Sequence, residues 1–274
     1  MVRHYTPSIS DDCPTPKKPL GQHFMRDKRA LAYIVHALQT NRGEFIVEIG
    51  PGTGALTMNL LAKQATVCAI EVDPALSNSL DTRLLNPPNL RIITADARVI
   101  SPSHVIPDGM PYKLTGNLPY YAATPIIRNF LESSVRPDLV ITVVQKEVAR
   151  NMVAQPPRLN LLAIGTQIYG EVKILKYLKP QSFFPVPKVS SAIISIKPYK
   201  CPKVSVEHCK DFFHIVRAGF SSPRKQLHNS IKHSLQISAD ECHALLSKAQ
   251  IDPRRRAQSL SIDEWKQLYE IQIH

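Results

Sequence analysis

Phe45-Ile46-Val47-Glu48-Ile49-Gly50-Pro51-Gly52-Thr53-Gly54 is the segment that decides the fold class. The apolar run, broken only by Glu48, predicts a buried strand. Glycines then alternate through the turn, and a helix is expected from Ala55 to about Lys63. Glycine at a strand end lets the backbone take positive φ and approach a ligand closely. The spacing is GxGxG, not the GxGxxG of dinucleotide folds, and no Lys-Ser/Thr pair marks a phosphate loop. An acid at Glu48 suits a cationic or amino-bearing ligand better than a pyrophosphate.

Further strands follow at regular intervals. Thr66 to Ile70 runs into Glu71, Leu90 to Ile93 leads to Asp96, and Tyr112 to Leu114 leads to Asn117. Leu139 to Val144, Val172 to Leu178 and Ser191 to Ile196 complete seven strands. Helical spacing intervenes, as in Gln145 to Met152 and Leu159 to Tyr169. This alternation predicts an α/β fold, a Rossmann-like doubly wound sheet. Such sheets bind ligands at the carboxyl ends of their strands, which is where Gly50, Glu71, Asp96 and Asn117 fall. An acid ending the second strand can accept both hydroxyls of a ribose, and Asp96 can take an adenine amino group.

Gly116-Asn117-Leu118-Pro119-Tyr120-Tyr121 ends the fourth strand. It puts an amide, stiffened backbone carbonyls and a flat ring at one point on the sheet edge. An Asn oxygen and a backbone carbonyl can accept the two N–H bonds of an aromatic amine, whose delocalised lone pair makes it a poor nucleophile. An aromatic face can hold the attached base by stacking. The hexapeptide alone reads more readily as a strand, a Pro turn and a packed Tyr.

Two segments flank this set. Leu20-Gly21-Gln22-His23-Phe24-Met25 precedes a helix with Asp27 as its N-cap and Leu31, Ile34, Val35 and Leu38 as its apolar stripe. It reads either as a cover for a ligand or as a docking segment with Phe24 buried. Ser182-Phe183-Phe184-Pro185-Val186-Pro187-Lys188-Val189 is a Pro-stiffened loop in which Phe183 either stacks on a flipped base or plugs the sheet edge.

After Lys200 the strand runs cease and helices are expected at Glu207 to Ala218, Pro223 to Ser234, Ala239 to Lys248 and Ile262 to Ile271. Arg217, Arg224, Lys225, His228 and Lys232 recur at helical spacing, and Arg254-Arg255-Arg256 adds a basic run. The chain therefore divides into a tail (1–18), read as mobile, a sheet domain (19–200) and a small all-helical domain (201–274). The 274 residues carry 34 Lys and Arg against 22 Asp and Glu, a formal charge of +12. That surplus points to a polyanionic partner, nucleic acid before membrane. Five scattered cysteines show no metal spacing and imply reduced thiols in the cytoplasm. The first residues lack the apolar segment of a secretory signal.

Gly21-Gln22-His23-Phe24, Val47 to Gly54, Gly116 to Tyr120, Gln145-Lys146-Glu147-Val148 and Phe183 with Pro185, Pro187, Lys188 and Val189 stand in the order of a known family. The chain from about Lys18 onward resembles the small-subunit ribosomal RNA adenine N6,N6-dimethyltransferases. The resemblance implies S-adenosyl-L-methionine as methyl donor. It puts His23 and Met25 over that cofactor, Gly50 at its amino acid part, Glu71 at the ribose, Asp96 at the adenine and Asn117 at the junction with the substrate. Asn117, Leu118 and Pro119 would hold the reacting amine, with Tyr120 on one face of the target adenine and Phe183 on the other. Arg217, Arg224, Lys225 and Lys232 would contact RNA. The implied substrate is a pair of adjacent adenosines in a hairpin loop near the 3′ end of 16S rRNA, within the assembling 30S subunit. A cytoplasmic monomer that needs no metal is implied as well.

The chain departs from the family pattern at Tyr121, often Asn, and at Gln155-Pro156-Pro157-Arg158-Leu159-Asn160, which replaces a Gly-Ser-Lys-x-Tyr-Gly segment. Tyr121 is expected to narrow the target pocket. The competing readings are a 23S rRNA adenine methyltransferase of the macrolide-resistance type and a non-catalytic ribosome-assembly factor on the same fold. The helical domain and Gln145 to Val148 favour the small-subunit reading over the first, and intact Gly50, Glu71, Asp96 and Asn117 disfavour the second.

Overall fold

The computed structural model describes residues 16–17 and 20–272. The tail expected at 1–18 lies outside the described residues except for 16 and 17. In chain order the elements are β1 (Phe24–Met25), α1 (Lys28–Ala37), β2 (Phe45–Ile49), α2 (Ala55–Ala62), β3 (Thr66–Glu71), α3 (Pro74–Leu84), β4 (Leu90–Thr94), β5 (Tyr112–Asn117) and α4 (Ala123–Glu132). There follow β6 (Leu139–Gln145), α5 (Lys146–Met152), α6 (Leu161–Gln167), β7 (Gly170–Leu178), β8 (Phe183–Phe184) and β9 (Ser191–Pro198). The helices α7 (Cys209–Phe220), α8 (Leu227–Leu235), α9 (Ala239–Lys248) and α10 (Ile262–Gln272) close the chain.

Seven strands form one sheet in the order β4-β3-β2-β5-β6-β9-β7. The first five are parallel, and β9 runs antiparallel to both β6 and β7. Both faces of the parallel part are covered, so β2 is buried along its whole length. Ile46 packs with Leu31, Ile34 and Leu60 on one face, and Val47 and Ile49 join Ile127 and Phe130 on the other. Chain order reverses between β2 and β5, and that switch point is the crevice such sheets offer a ligand.

Gly116 makes this crevice possible. It lies opposite Ile49, and a Cβ there would stand 2.2 Å from the Ile49 carbonyl oxygen. Only glycine lets β5 approach β2 closely enough to bring Asn117 beside the glycine loop. Thr142 braces the same point by donating to the Gly116 carbonyl at 2.8 Å.

Two segments read as loops pair with each other. β1 and β8 form a separate two-stranded antiparallel sheet, Phe24 opposite Phe184 and Met25 opposite Phe183. Two residues are too few for a periodicity to show in sequence. Asp27 caps α1 as expected, accepting from the N–H groups of Arg29 and Ala30.

The change from strands to helices falls between β9 and α7, but apolar packing crosses it. One cluster runs from Val47 and Ile49 through Phe130 and Tyr169 to Phe212, Phe213 and Trp265. Tyr169 donates to Glu132 at 3.1 Å, and its oxygen lies 3.1 Å from the Cys209 sulfur. The altered loop serves this junction. Leu159 is buried and its N–H donates to the Gln258 carbonyl, while Asn160 caps α6, which therefore starts later than the apolar run. The expected helix from Pro223 also starts later, at Leu227. Arg224 and Lys225 lie in the turn before it, because Gln226 already takes extended backbone.

Candidate active site

Of the residues expected at strand ends, Gly50, Glu71 and Asn117 converge on one cleft and Asp96 does not. Its walls include Gly21, His23, Phe24, Gly50, Gly52, Glu71, Asn117, Leu118, Pro119 and Tyr120. Gly50 and Gly52 present bare backbone at the end of β2. Gly52 has φ +55°, and a Cβ on it would meet the Phe24 ring at 2.9 Å. Phe24 is thus the buried anchor of the N-terminal segment, one of the two readings its sequence left open.

That segment straps across the sheet edge through several polar contacts. The Asn117 amide Nδ2 donates to the His23 carbonyl at 2.6 Å. His23 Nδ1 lies 2.6 Å from the Pro185 carbonyl and so carries its proton there. Gln22 and Lys17 both donate to the carboxylate of Asp73. Burial opposes that charge, but Lys17, Gln22 and the Ala75 N–H outweigh it and hold the Asp73 carboxyl below its usual range.

Glu71 ends β3 inside the cleft, accepting from the N–H groups of Gly52 at 3.2 Å and Asp73 at 3.1 Å. Burial pushes its carboxyl up, and those N–H groups oppose the shift. Glu48 lies one strand away, 1% exposed, and its Oε2 has no hydrogen-bond partner among the described residues. Burial pushes the Glu48 carboxyl up to about 8. It lines an adjoining cavity with Met25, Gly50, Thr53 and Asn117. Its chemistry was noted in the sequence, but only the unpartnered buried oxygen marks it as part of the site.

These groups fit S-adenosylmethionine by chemistry. A lone buried carboxylate oxygen beside bare glycine backbone suits an amino acid moiety, and the Glu71 carboxylate suits vicinal hydroxyls. Met25, expected over the cofactor, is buried and paired with Phe183 on the Glu48 side of Phe24.

The other residues expected in the site are distributed differently. Tyr120 has one ring face against His23, with centroids 5.6 Å apart, and its hydroxyl is 2.8 Å from Ser191 Oγ. Phe183 is 2% exposed and packs in the core with Met25, Ile141 and Val143, whereas Phe184 is 40% exposed. Stacking on a base from Phe183 is therefore corrected: its ring is a core plug, because the β1–β8 pairing turns it inward. Asp96 stands outside the cleft walls and is gripped by Arg98, whose Nε and Nη2 reach both its oxygens. That hydrogen-bonded pair holds the Asp96 carboxyl below its usual range. Tyr121 is 54% exposed, with its ring beside Gly21 and the Arg98 guanidinium 5.8 Å from the ring centroid. It leans on Gly21 at the rim and does not line this cleft.

Among the basic residues, Arg217, Arg224 and Lys225 are exposed, while Lys232 is half-buried. Arg217 lies over the Phe213 ring at 5.6 Å. His228 turns inward, within 3.1 Å of the Pro253 carbonyl.

The sheet order, the glycine cradle and the acid-ended strands define an S-adenosylmethionine-dependent methyltransferase. The match to a family model spans residues 15–273, and the chain belongs to the ribosomal RNA adenine dimethylase family. It is similar to the ribosomal RNA small subunit methyltransferase A of Dehalococcoides mccartyi, 38% identical over 92% of this chain and 87% of that protein. The Clostridium acetobutylicum protein of the same name is 36% identical over 92% of this chain and 91% of its own length. Among solved structures, the 23S rRNA methyltransferase ErmE superposes with a TM-score of 0.70 and 25% identity, covering 92% of this chain and all of that one. A dimethyladenosine transferase from Plasmodium falciparum superposes with a TM-score of 0.74 over 90% of this chain and 96% of that one, at 23% identity, and shares the fold.

Proposed function

We propose that this chain transfers methyl groups from S-adenosylmethionine to N6 of two adjacent adenosines near the 3′ end of 16S rRNA, within the assembling 30S subunit. Dimethylation of ribosomal RNA adenine is the activity of its family. The small-subunit substrate is supported by relatives at 36–38% identity, against 25% for the 23S enzyme. The observation that carries the reading is the state of Asn117. Its Nδ2 is occupied by His23, and among the described residues no donor reaches its Oδ1. The amide is therefore set as an acceptor facing the cleft.

The cofactor supplies an electrophilic methyl group, so the chain's task is alignment and polarisation. Asn117 Oδ1 and the Leu118 carbonyl accept the amine's two N–H bonds and stabilise positive charge as it develops on nitrogen. Pro119 stiffens this corner, and its own carbonyl is engaged by the Ala122 N–H at 2.9 Å. Tyr120 offers the ring face not covered by His23 to the target base. Glu48, Gly50 and Glu71 would hold the donor, and Asp96 would accept from its adenine amino group once Arg98 releases one carboxylate oxygen.

The helical region after residue 200 acts as an RNA-contacting domain through Arg217, Arg224, Lys225 and Lys232. The enzyme works as a cytoplasmic monomer; among the described residues no helix is long and apolar enough to cross a membrane. Incubation with unmethylated 30S subunits and S-adenosylmethionine, followed by mass analysis of nuclease fragments of 16S rRNA, tests the reading. Gain of four methyl groups on the two adenosines is expected, and an unmodified loop would overturn it.

A further inference from the structure

We propose that the groove between the end of β7 and the β1–β8 sheet is a track for single-stranded RNA next to the target adenosines. The proposal rests on rRNA being the substrate and adds where the flanking strand lies. The groove is lined by Arg26, Asp27, Lys176, Tyr177, Lys179 and Ser182. Among the described residues, Arg26, Lys146, Lys176 and Lys179 form no ion pair. Asp27 is the one acid among the described residues of that lining. Asp27 accepts from Arg29 N, Ala30 N and the Ser182 hydroxyl. Asp27 keeps its charge, its carboxyl held below the usual range by these bonds, the Ala30 N–H foremost, and by Lys176, but it is one acid against the lining cations Arg26, Lys176 and Lys179.

Aromatic faces alternate with these charges. The Arg26 guanidinium lies 4.0 Å from the Phe184 centroid, and the Lys146 ammonium 5.4 Å from that of Tyr177. Both rings are exposed, Tyr177 at 50%. Exposed rings flanked by unpaired cations form the stacking and phosphate elements of a single-strand binding surface. β7 is the edge strand of the main sheet, and near its end Lys176 and Tyr177 both stand exposed at adjacent positions. The groove is also tied to the reaction site, because β8 pairs with the strand that carries Phe24 and Pro185 holds the His23 ring. A strand in the groove therefore passes next to the cleft.

The test measures affinity for an unstructured oligoribonucleotide by fluorescence anisotropy across a salt series, for the parent chain, Lys176→Ala/Lys179→Ala and Tyr177→Ala. Losing two phosphate contacts should flatten the slope of log affinity against log salt by about 1.4. Losing one stacking ring should weaken binding by about tenfold, with Tyr177→Phe retaining affinity. S-adenosylmethionine affinity and melting temperature, measured on the same samples, should stay at parent values. An unchanged slope and affinity in the variants would overturn the groove, as would a loss confined to anionic vesicles. If the parent methylates no 30S subunits yet shows these RNA effects, the proposed reaction fails and the groove stands.

Discussion

The side chain of Asn117 donates to the backbone carbonyl of His23 at 2.6 Å, across 94 positions of the chain. One bond thereby orients the Asn117 amide and ties the N-terminal strap to β5. Asn117→Ala should lower kcat by about 10²–10³-fold, the usual loss on removing one preorganised polar contact to developing charge. It should also weaken S-adenosylmethionine about two- to tenfold, because the strap loses a hydrogen bond of about 1 kcal/mol. Single-turnover rates and calorimetric titration separate the two effects. A normal rate with normal affinity would remove Asn117 from both roles.

Glu48 links stability to pH. Its carboxyl is raised by burial to about 8 in the folded chain, from an ordinary value of 4.5. The folded state therefore binds more protons than the unfolded state between those values, and stability falls as pH rises from about 4.5 to about 8. Glu48→Gln should flatten this part of the profile and make the chain more stable than the parent at pH 9, by a few kcal/mol. Urea unfolding at pH 5, 7 and 9 measures it; parallel profiles for the two proteins would contradict the assignment.

A cationic ligand beside Glu48 should favour the carboxylate, so cofactor binding near pH 7 should release protons. Titration calorimetry in two buffers of different ionisation enthalpy reads the count directly. Release of about half a proton or more is expected for the parent and little for Glu48→Gln. Equal values for both would place the linked group elsewhere.

Tyr120 separates ring from hydroxyl. Tyr120→Ala removes the stacking face and should raise KM for 30S subunits about tenfold or more. Tyr120→Phe keeps the face but loses the contact with Ser191, worth about 1 kcal/mol, and should cost no more than about fivefold. Ser191→Ala should match Tyr120→Phe. Equal damage from Phe and Ala would mean that the hydroxyl, not the ring, is what counts.

Gly116→Ala tests the approach of β5 to β2. The added methyl would sit 2.2 Å from the Ile49 oxygen, which is backbone and cannot swing aside. A loss of about 3 kcal/mol or more is expected from overpacking and backbone strain together. The same change at Gly43, where a Cβ would meet nothing within 4 Å, should cost far less, chiefly the strain of its positive φ. Urea midpoints for both variants decide it.

What the sequence determined by itself is local. Short apolar runs, from Tyr112 to Leu114 up to Val172 to Leu178, marked the strands of the main sheet, glycine spacing marked the loop after β2, and chain order placed Glu71 and Asn117 at strand ends. The motif residues carried the family with them. The tertiary structure decided what those residues touch. It buried Phe183 and exposed Phe184, gave both oxygens of Asp96 to Arg98, left Oε2 of Glu48 without a partner among the described residues, and joined two dipeptides into the β1–β8 sheet. Periodicity records which face of one element is apolar. It is silent on pairings between segments 160 positions apart, such as His23 with Pro185 at a separation of 162, because packing of the whole chain sets them.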